Sequence, residues 1–152
     1  MVEIDTIDRK ILAQLQANAD QSVAEISEIV GLSPNALWRR IKRMEAEGII
    51  LRRVALVDPE KLGIGLSAFV TVRSGDHSEE WLENFAREID QIPEVVEFYR
   101  VSGCIDYLLK IMVADIAHYD RVYKKLIRVA QLTDVSSSFA METIKHSTAV
   151  PF

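Results

Sequence analysis

Along the first fifty positions, apolar residues recur at helical spacing. Ile4, Ile7, Ile11 and Leu15 fall three, four and four apart and make one stripe. This predicts a helix from Asp5 to Ala17, with Asp5 as its cap and Asp8 in the first turn, where the helix dipole favours an anion. NADQS, residues 18–22, reads as a loop. A short second helix follows: Ser22 and Glu25 fit a capping box, and Val23, Ile26, Ile29 and Val30 supply its buried face. Gly31 suits the left-handed residue that closes it. A third helix is predicted over 34–47. Ser33 caps it, Pro34 opens it, Leu37, Ile41 and Met44 face inward, and Gly48 ends it. An apolar helix, then helix, glycine turn and helix, is the helix-turn-helix layout.

Beyond residue 48 the period changes. Ile49 to Val57 is apolar and β-rich around Arg52 and Arg53, which predicts a strand or ribbon. Asp58-Pro59 then breaks the chain near a domain boundary at residue 60. In residues 64–73 Leu66, Ala68, Val70 and Val72 share one strand face. A helix is expected over 78–90, with Leu82, Phe85, Ala86 and Ile89 inward. Strands over 94–101 and 106–113 are joined by the turn SGCI. Ile116, Tyr119, Tyr123, Leu126 and Ala130 mark a helix over 115–130, and 135–146 reads as a last strand. The fold class is therefore α+β: a three-helix, winged or ribbon-linked helix-turn-helix domain over 1–50, a ribbon and linker over 51–60, and a ferredoxin-like βαββαβ domain over 61–152.

The βαββαβ order puts both helices on one face of the sheet. The strands nevertheless carry apolar residues on both faces. Phe69 opposes Val70, and Leu108 and Met112 oppose Leu109 and Ile111. An open apolar face of that size implies a second sheet packed on it, hence at least a homodimer.

Composition narrows the class. With 49% hydrophobic and 27% charged residues and no long apolar run, the sequence reads as globular, with no membrane partner. The acidic start, MVEIDTIDRK, lacks the pattern of a signal peptide, and the one cysteine, Cys104, leaves no disulfide framework. Together these favour the cytoplasm. Net charge is −5, yet residues 33 to 53 hold six basic residues against Glu45 and Glu47. That local surplus of four positive charges leaves nine net negative charges elsewhere, and local charge governs phosphate binding.

On the third helix Asn35, Trp38, Arg39, Lys42 and Arg43 project outward or to the flanks, with Arg40 beside them and Ser33 at the start. Arg or Lys can bond guanine edges and Asn adenine, and further cations pair with phosphates. Together with the capped helix and glycine turn before it, this basic helix points to double-stranded DNA rather than to a merely solvated face. Trp38 could touch the DNA backbone, but packing of its ring against the first helix is the favoured reading. Arg52 and Arg53 could add phosphate contacts or mark a solvated edge. In SGCIDYLL, Gly103 and Asp106 could serve a ligand, Gly103 by close backbone approach and Asp106 by accepting from an ammonium group. The plainer account is a hairpin turn in which Asp106 bonds its own backbone. Ser136, Ser137 and Ser138 could bind a carboxylate or be ordinary strand residues.

Nothing points to an enzyme, a cofactor or a metal. His77, His118 and His146 are scattered without ligand spacing, and neither a phosphate-binding loop nor a nucleophile elbow occurs.

Taken together, IDTIDRKILAQLQANAD, VGLSPNALWRRIKRMEAEGII, SGCIDYLL and ETIKHSTAVPF, in this order, resemble the Lrp/AsnC (feast/famine) transcriptional regulators over the whole chain. The resemblance implies a DNA-binding regulator with a ligand-sensing, oligomerising C-terminal domain, dimers that assemble further, commonly to octamers, and an amino-acid effector. It implies an effector site at Gly103, Cys104 and Asp106 with Ser136, Ser137 and Ser138. Family turns often read G-D-x-D, whereas Cys104 stands at the second position here. Either the pocket takes a less cationic or more apolar effector, or the usual response is lost. Two other classes stay open: an architectural DNA-binding protein without an effector, and a small-molecule-binding module that regulates an enzyme.

Overall fold

The computed structural model describes residues 3–129 and 132–152. The chain divides into two compact units, one reaching Leu56 and including Lys145–Phe152, the other Val57–Ile144.

In the first unit, α1 (Thr6–Ala17), α2 (Val23–Val30) and α3 (Pro34–Ala46) enclose one core of Ile11, Ile26, Val30, Leu37, Ile41 and Met44. The starts of α1 and α2 are fixed by reciprocal capping boxes, Asp5 with Asp8 and Ser22 with Glu25. Each box satisfies backbone N–H groups that a helix start leaves open. The turn between α2 and α3 depends on Gly31. At φ +73° its N–H and that of Leu32 both donate to the Ser27 carbonyl, closing α2 in the one residue before the Leu32-Ser33 step. Any side chain would be strained there.

The ribbon expected over 49–57 does not form. Ile49 and Ile50 fold back onto the three-helix core, and residues 51–57 form no strand. A strand needs a neighbour to satisfy its ladder groups, and this stretch has none among the described residues. Leu51, Val54, Leu56 and Val57 are therefore exposed.

The C-terminal residues 145–152, which the sequence pattern assigns to the second domain, group with the first. The Gln16 amide clasps the Val150 backbone, accepting from its N–H at 2.6 Å and donating to its carbonyl at 3.2 Å. The Arg9 guanidinium lies 5.9 Å from the centroid of the Phe152 ring.

The second unit runs β1 (Leu66–Ser74), α4 (Glu79–Asp90), β2 (Val95–Arg100), β3 (Tyr107–Val113), α5 (Ile116–Val129) and β4 (Leu132–Phe139). Its sheet is antiparallel throughout, in the order β2-β3-β1-β4, the ferredoxin-like arrangement. Ala68, Val70, Val72, Leu109 and Ile111 face α4 and α5 and join Phe85, Ile89, Val122 and Leu126 in one core. Ala130, expected to end the second helix, lies outside the described residues.

The last strand begins three residues before the expected Val135 and stops at Phe139 rather than residue 146. Its length is set by its partner. Ala68 pairs with Phe139, and the Ala140 N–H donates to Ser67, beyond which β1 offers almost nothing more to pair with.

Phe69, Thr71, Leu108, Lys110 and Met112 lie on the face away from the helices, where Phe69 is 40% exposed and Lys110 pairs with Glu97 at 3.0 Å. Among the described residues no helix is long and apolar enough to cross a membrane.

Candidate nucleic-acid interface and effector turn

The candidate DNA-reading surface is built on α3. Its inward positions Leu37, Ile41 and Met44 are fully buried, which fixes the rotation of the helix about its axis. At 3.6 residues per turn, the side opposite them carries Asn35, Arg39, Lys42 and Ala46, all exposed. Ser33 at the start is occupied as the cap, its Oγ accepting from the Ala36 N–H at 3.3 Å. Hydrogen bonds and ion pairs leave Arg39 unengaged among the described residues, whereas Lys42 donates to Glu45 at 2.6 Å.

Trp38 does not pack on α1. It is 49% exposed, and the Lys42 ammonium sits 4.6 Å from its ring centroid. The reason is angular. Position 38 lies on one flank of α3, and Arg40 and Arg43, which meet α1, lie on the other. The indole thus stays on the surface as an apolar plate held by a cation–π contact.

Arg43 lies exposed on a flank of α3, within the expectation of outward or flanking positions, and Arg40 is half-buried beside it, but both are engaged by aspartates of α1 and its cap. Arg40 Nη1 donates to Asp5 Oδ2 at 2.7 Å and Asp8 Oδ1 at 2.8 Å, and Arg43 Nη2 donates to Asp8 Oδ2 at 2.5 Å. Asp8 is wholly buried. The Arg40 guanidinium is pushed further up from its ordinary value by its hydrogen bonds to Asp5 and then Asp8. Asp5 is held below the usual carboxylate range, first by the Asp8 backbone N–H and then by Arg40. By its position in the first turn alone, Asp8 is expected only as a dipole partner. The overlooked signal is the match of two i,i+3 pairs, Asp5 with Asp8 and Arg40 with Arg43. Of the following residues, Arg52 is exposed and Arg53 lies 3.8 Å from Glu45.

The candidate effector turn joins β2 to β3. Gly103 sits at φ +131°, a conformation that strains any side chain, with nothing within 4 Å of where a Cβ would stand. Cys104 is exposed. Within its own turn Asp106 bonds only through its carbonyl, which accepts from the Val101 N–H at 2.9 Å; its side chain reaches elsewhere. Its Oδ2 accepts from the Ser74 N–H at 2.9 Å and its own N–H donates to the Val72 carbonyl at 3.0 Å, so it pins the turn to the end of β1. Its Oδ1 faces His77 Nδ1 at 4.0 Å. A cleft of about 610 Å³ opens beside Asp76, Trp81, Asn84 and Thr133.

The three serines are not one cluster. Ser136 and Ser138 pair with Thr71 and Phe69 on the face away from the helices, while the Ser137 hydroxyl bonds the Tyr119 hydroxyl on the helical side. Strand alternation separates them.

Residues 4–50 match the model described as winged helix-turn-helix DNA-binding, and residues 67–150 match the Lrp/AsnC ligand binding domain. The chain belongs to the Lrp/AsnC family. It is 53% identical over 149 residues to the glutamate uptake regulatory protein of Zymomonas mobilis, covering 98% of this chain and 91% of that one. It is 46% identical to the DNA-binding transcriptional activator DecR of Escherichia coli, covering 97% and 98%. Among solved structures, an AsnC family transcriptional regulator from Agrobacterium tumefaciens superimposes with a TM-score of 0.93 at 50% identity, covering 97% of this chain and 96% of that one. A transcriptional regulator from Neisseria meningitidis in complex with L-Met gives 0.91 at 35% identity, covering 98% and 97%. This Lrp/AsnC protein is a DNA-binding transcriptional regulator that carries the family's ligand-binding domain.

Proposed function

We propose that the regulator reads DNA through the outer face of α3, with Asn35, Arg39 and Lys42 in a major groove, Ser33 at its entrance and Trp38 against sugar or a thymine methyl. The observation that carries this is the face itself. Asn35, Arg39 and Lys42 lie exposed opposite the buried stripe Leu37-Ile41-Met44, on the side a base edge would meet. The protein acts in the cytoplasm as a homodimer whose sheets pack through Phe69, Leu108 and Met112, and dimers assemble further, to octamers in the pattern of the family. In this reading the chain is no enzyme and needs no cofactor.

An amino acid binds at the Gly103–Asp106 turn, completed in the assembly by the exposed serines Ser136 and Ser138. It shifts the equilibrium between two arrangements of the recognition helices by its different affinity for each. The L-Met carried by the Neisseria relative supports this effector class. Cys104, in place of a carboxylate, favours an effector with a neutral side chain. A thermal-shift screen of the twenty amino acids, paired with light scattering, tests the reading. One or a few apolar or neutral amino acids are expected to raise the melting temperature of the wild type and not that of Asp106→Ala, which keeps its effector-free DNA binding. A response that survives in Asp106→Ala would remove the turn from the site, and no response to any amino acid would leave an effector-independent regulator.

A further inference from the structure

We infer that Asp8 is a positioning residue for DNA recognition: it withdraws Arg40 and Arg43 from the DNA and so limits sequence-independent binding. This rests on α3 being the DNA-reading helix. Asp8 has 0% exposure, and both its oxygens are occupied. Oδ1 accepts from Arg40, while Oδ2 accepts from Arg43 and, at 3.2 Å, from the Asp5 N–H. Asp5 supplies the second contact to Arg40. Two carboxylates thus face two guanidiniums, with Glu47 Oε2 a further 3.7 Å from Arg43 Nε, and the cluster has no net positive charge to offer a phosphate.

Releasing either arginine to DNA would leave a buried carboxylate undercompensated, which low-dielectric surroundings strongly disfavour. Of the four cations of α3, only Arg39 and Lys42 then lie outside the Asp8 cluster; Arg43, its side chain 42% exposed, sits at the edge of that cluster, and Lys42 is shared with Glu45 and the Trp38 ring. Phosphate contacts give affinity without sequence information. A helix with four free cations would hold any duplex tightly. Keeping two of them on Asp8 leaves a larger share of binding to the base-reading positions.

The test is the salt dependence of binding by the full-length protein to a mixed-sequence duplex, taken as the slope of log K against log[salt]. Arg40→Gln and Arg43→Gln are expected to leave the slope at its wild-type value. Asp8→Asn is expected to steepen it by about 0.9 for each guanidinium released, and to lower the ratio of affinities for a preferred over a mixed-sequence duplex. In the double variant Asp8→Asn with Arg43→Gln the slope returns towards wild type, which repair of a merely structural defect would not produce. A slope shallower by about 0.9 in either arginine single variant would overturn the assignment, as would an unchanged slope in folded Asp8→Asn. Should Asp8→Asn not fold, the arginine variants decide the matter. Arg39→Gln is the control that separates the two claims. A slope reduced there and also in Arg40→Gln or Arg43→Gln refutes the clamp and keeps the reading face, whereas a slope and an affinity both unchanged there refute the reading face.

Discussion

At the scale of single residues, the local charge surplus on residues 33 to 53 overstates what DNA can meet. Arg39 and Arg40 are adjacent in sequence and alike in chemistry, but one turns away from the core and the other bonds two aspartates. Arg39→Ala and Lys42→Ala are each expected to weaken binding and to reduce the salt slope, by about 0.9 for a lost phosphate contact. Salt titrations of both variants check this, and an unchanged slope in both would remove them from the backbone contacts.

The capping boxes of α1 and α2 set an acid limit. Asp5 and Glu25 have folded pKa values below their ordinary 3.8 and 4.5, each first through a backbone N–H, that of Asp8 for Asp5 and that of Ser22 for Glu25. Folding therefore favours their ionised forms. The stabilisation is complete above those ordinary values and is lost as pH falls through the folded ones. Melting temperature should be flat in this respect from neutrality down to about pH 5 and should decline below it, with a shallower acid limb in Asp5→Asn. A decline confined to pH 6–8 would contradict the assignment.

At the scale of elements, the helices and the βαββαβ order are legible because capping residues and apolar periods are local signals. Ser22, Ser33 and Gly31 occupy the cap positions their chemistry suggests. What the pattern missed depends on distant partners. Residues 51–57 have strand composition but no neighbour among the described residues, β4 ends where β1 runs out, and α1, on which the pattern expects Trp38 to pack, meets the opposite flank of α3. In the candidate effector site Gly103 was legible as a residue requiring positive φ. Asp106 was legible as a turn carboxylate but not as the bond to Ser74 that ties two loops together. Strand alternation splits the serine triplet, which reading it as a motif concealed.

The sheet also carries a prediction. Its face away from the helices exposes Phe69 and half-buries Leu108 and Met112. On the proposed dimer, Phe69→Lys would set a charge where two sheets pack. Light scattering should then give a smaller assembly than wild type, with far-UV circular dichroism unchanged. Wild-type assembly in this variant would place the interface elsewhere.

At the scale of the whole molecule, the chain joins a DNA-binding unit to a ligand-binding unit and returns at its end to the first, where Gln16 holds Val150. Two chain passages therefore connect the units, at residues 56–57 and 144–145. In the proposed reading, a signal at the Gly103–Asp106 turn has two covalent routes to α3, and assembly would add a third through the relative placement of recognition helices in different protomers. If a homodimer presents two such helices, the DNA must mirror its two-fold symmetry. The most direct measurement is selection of binding sites by the wild-type protein from a random duplex library, followed by sequencing. The account predicts enrichment of a dyad-symmetric site with half-sites separated by about one helical turn, 10–10.5 bp, or a multiple of it, lost in Arg39→Ala. Enrichment of an asymmetric site, or no enrichment at all, would contradict it.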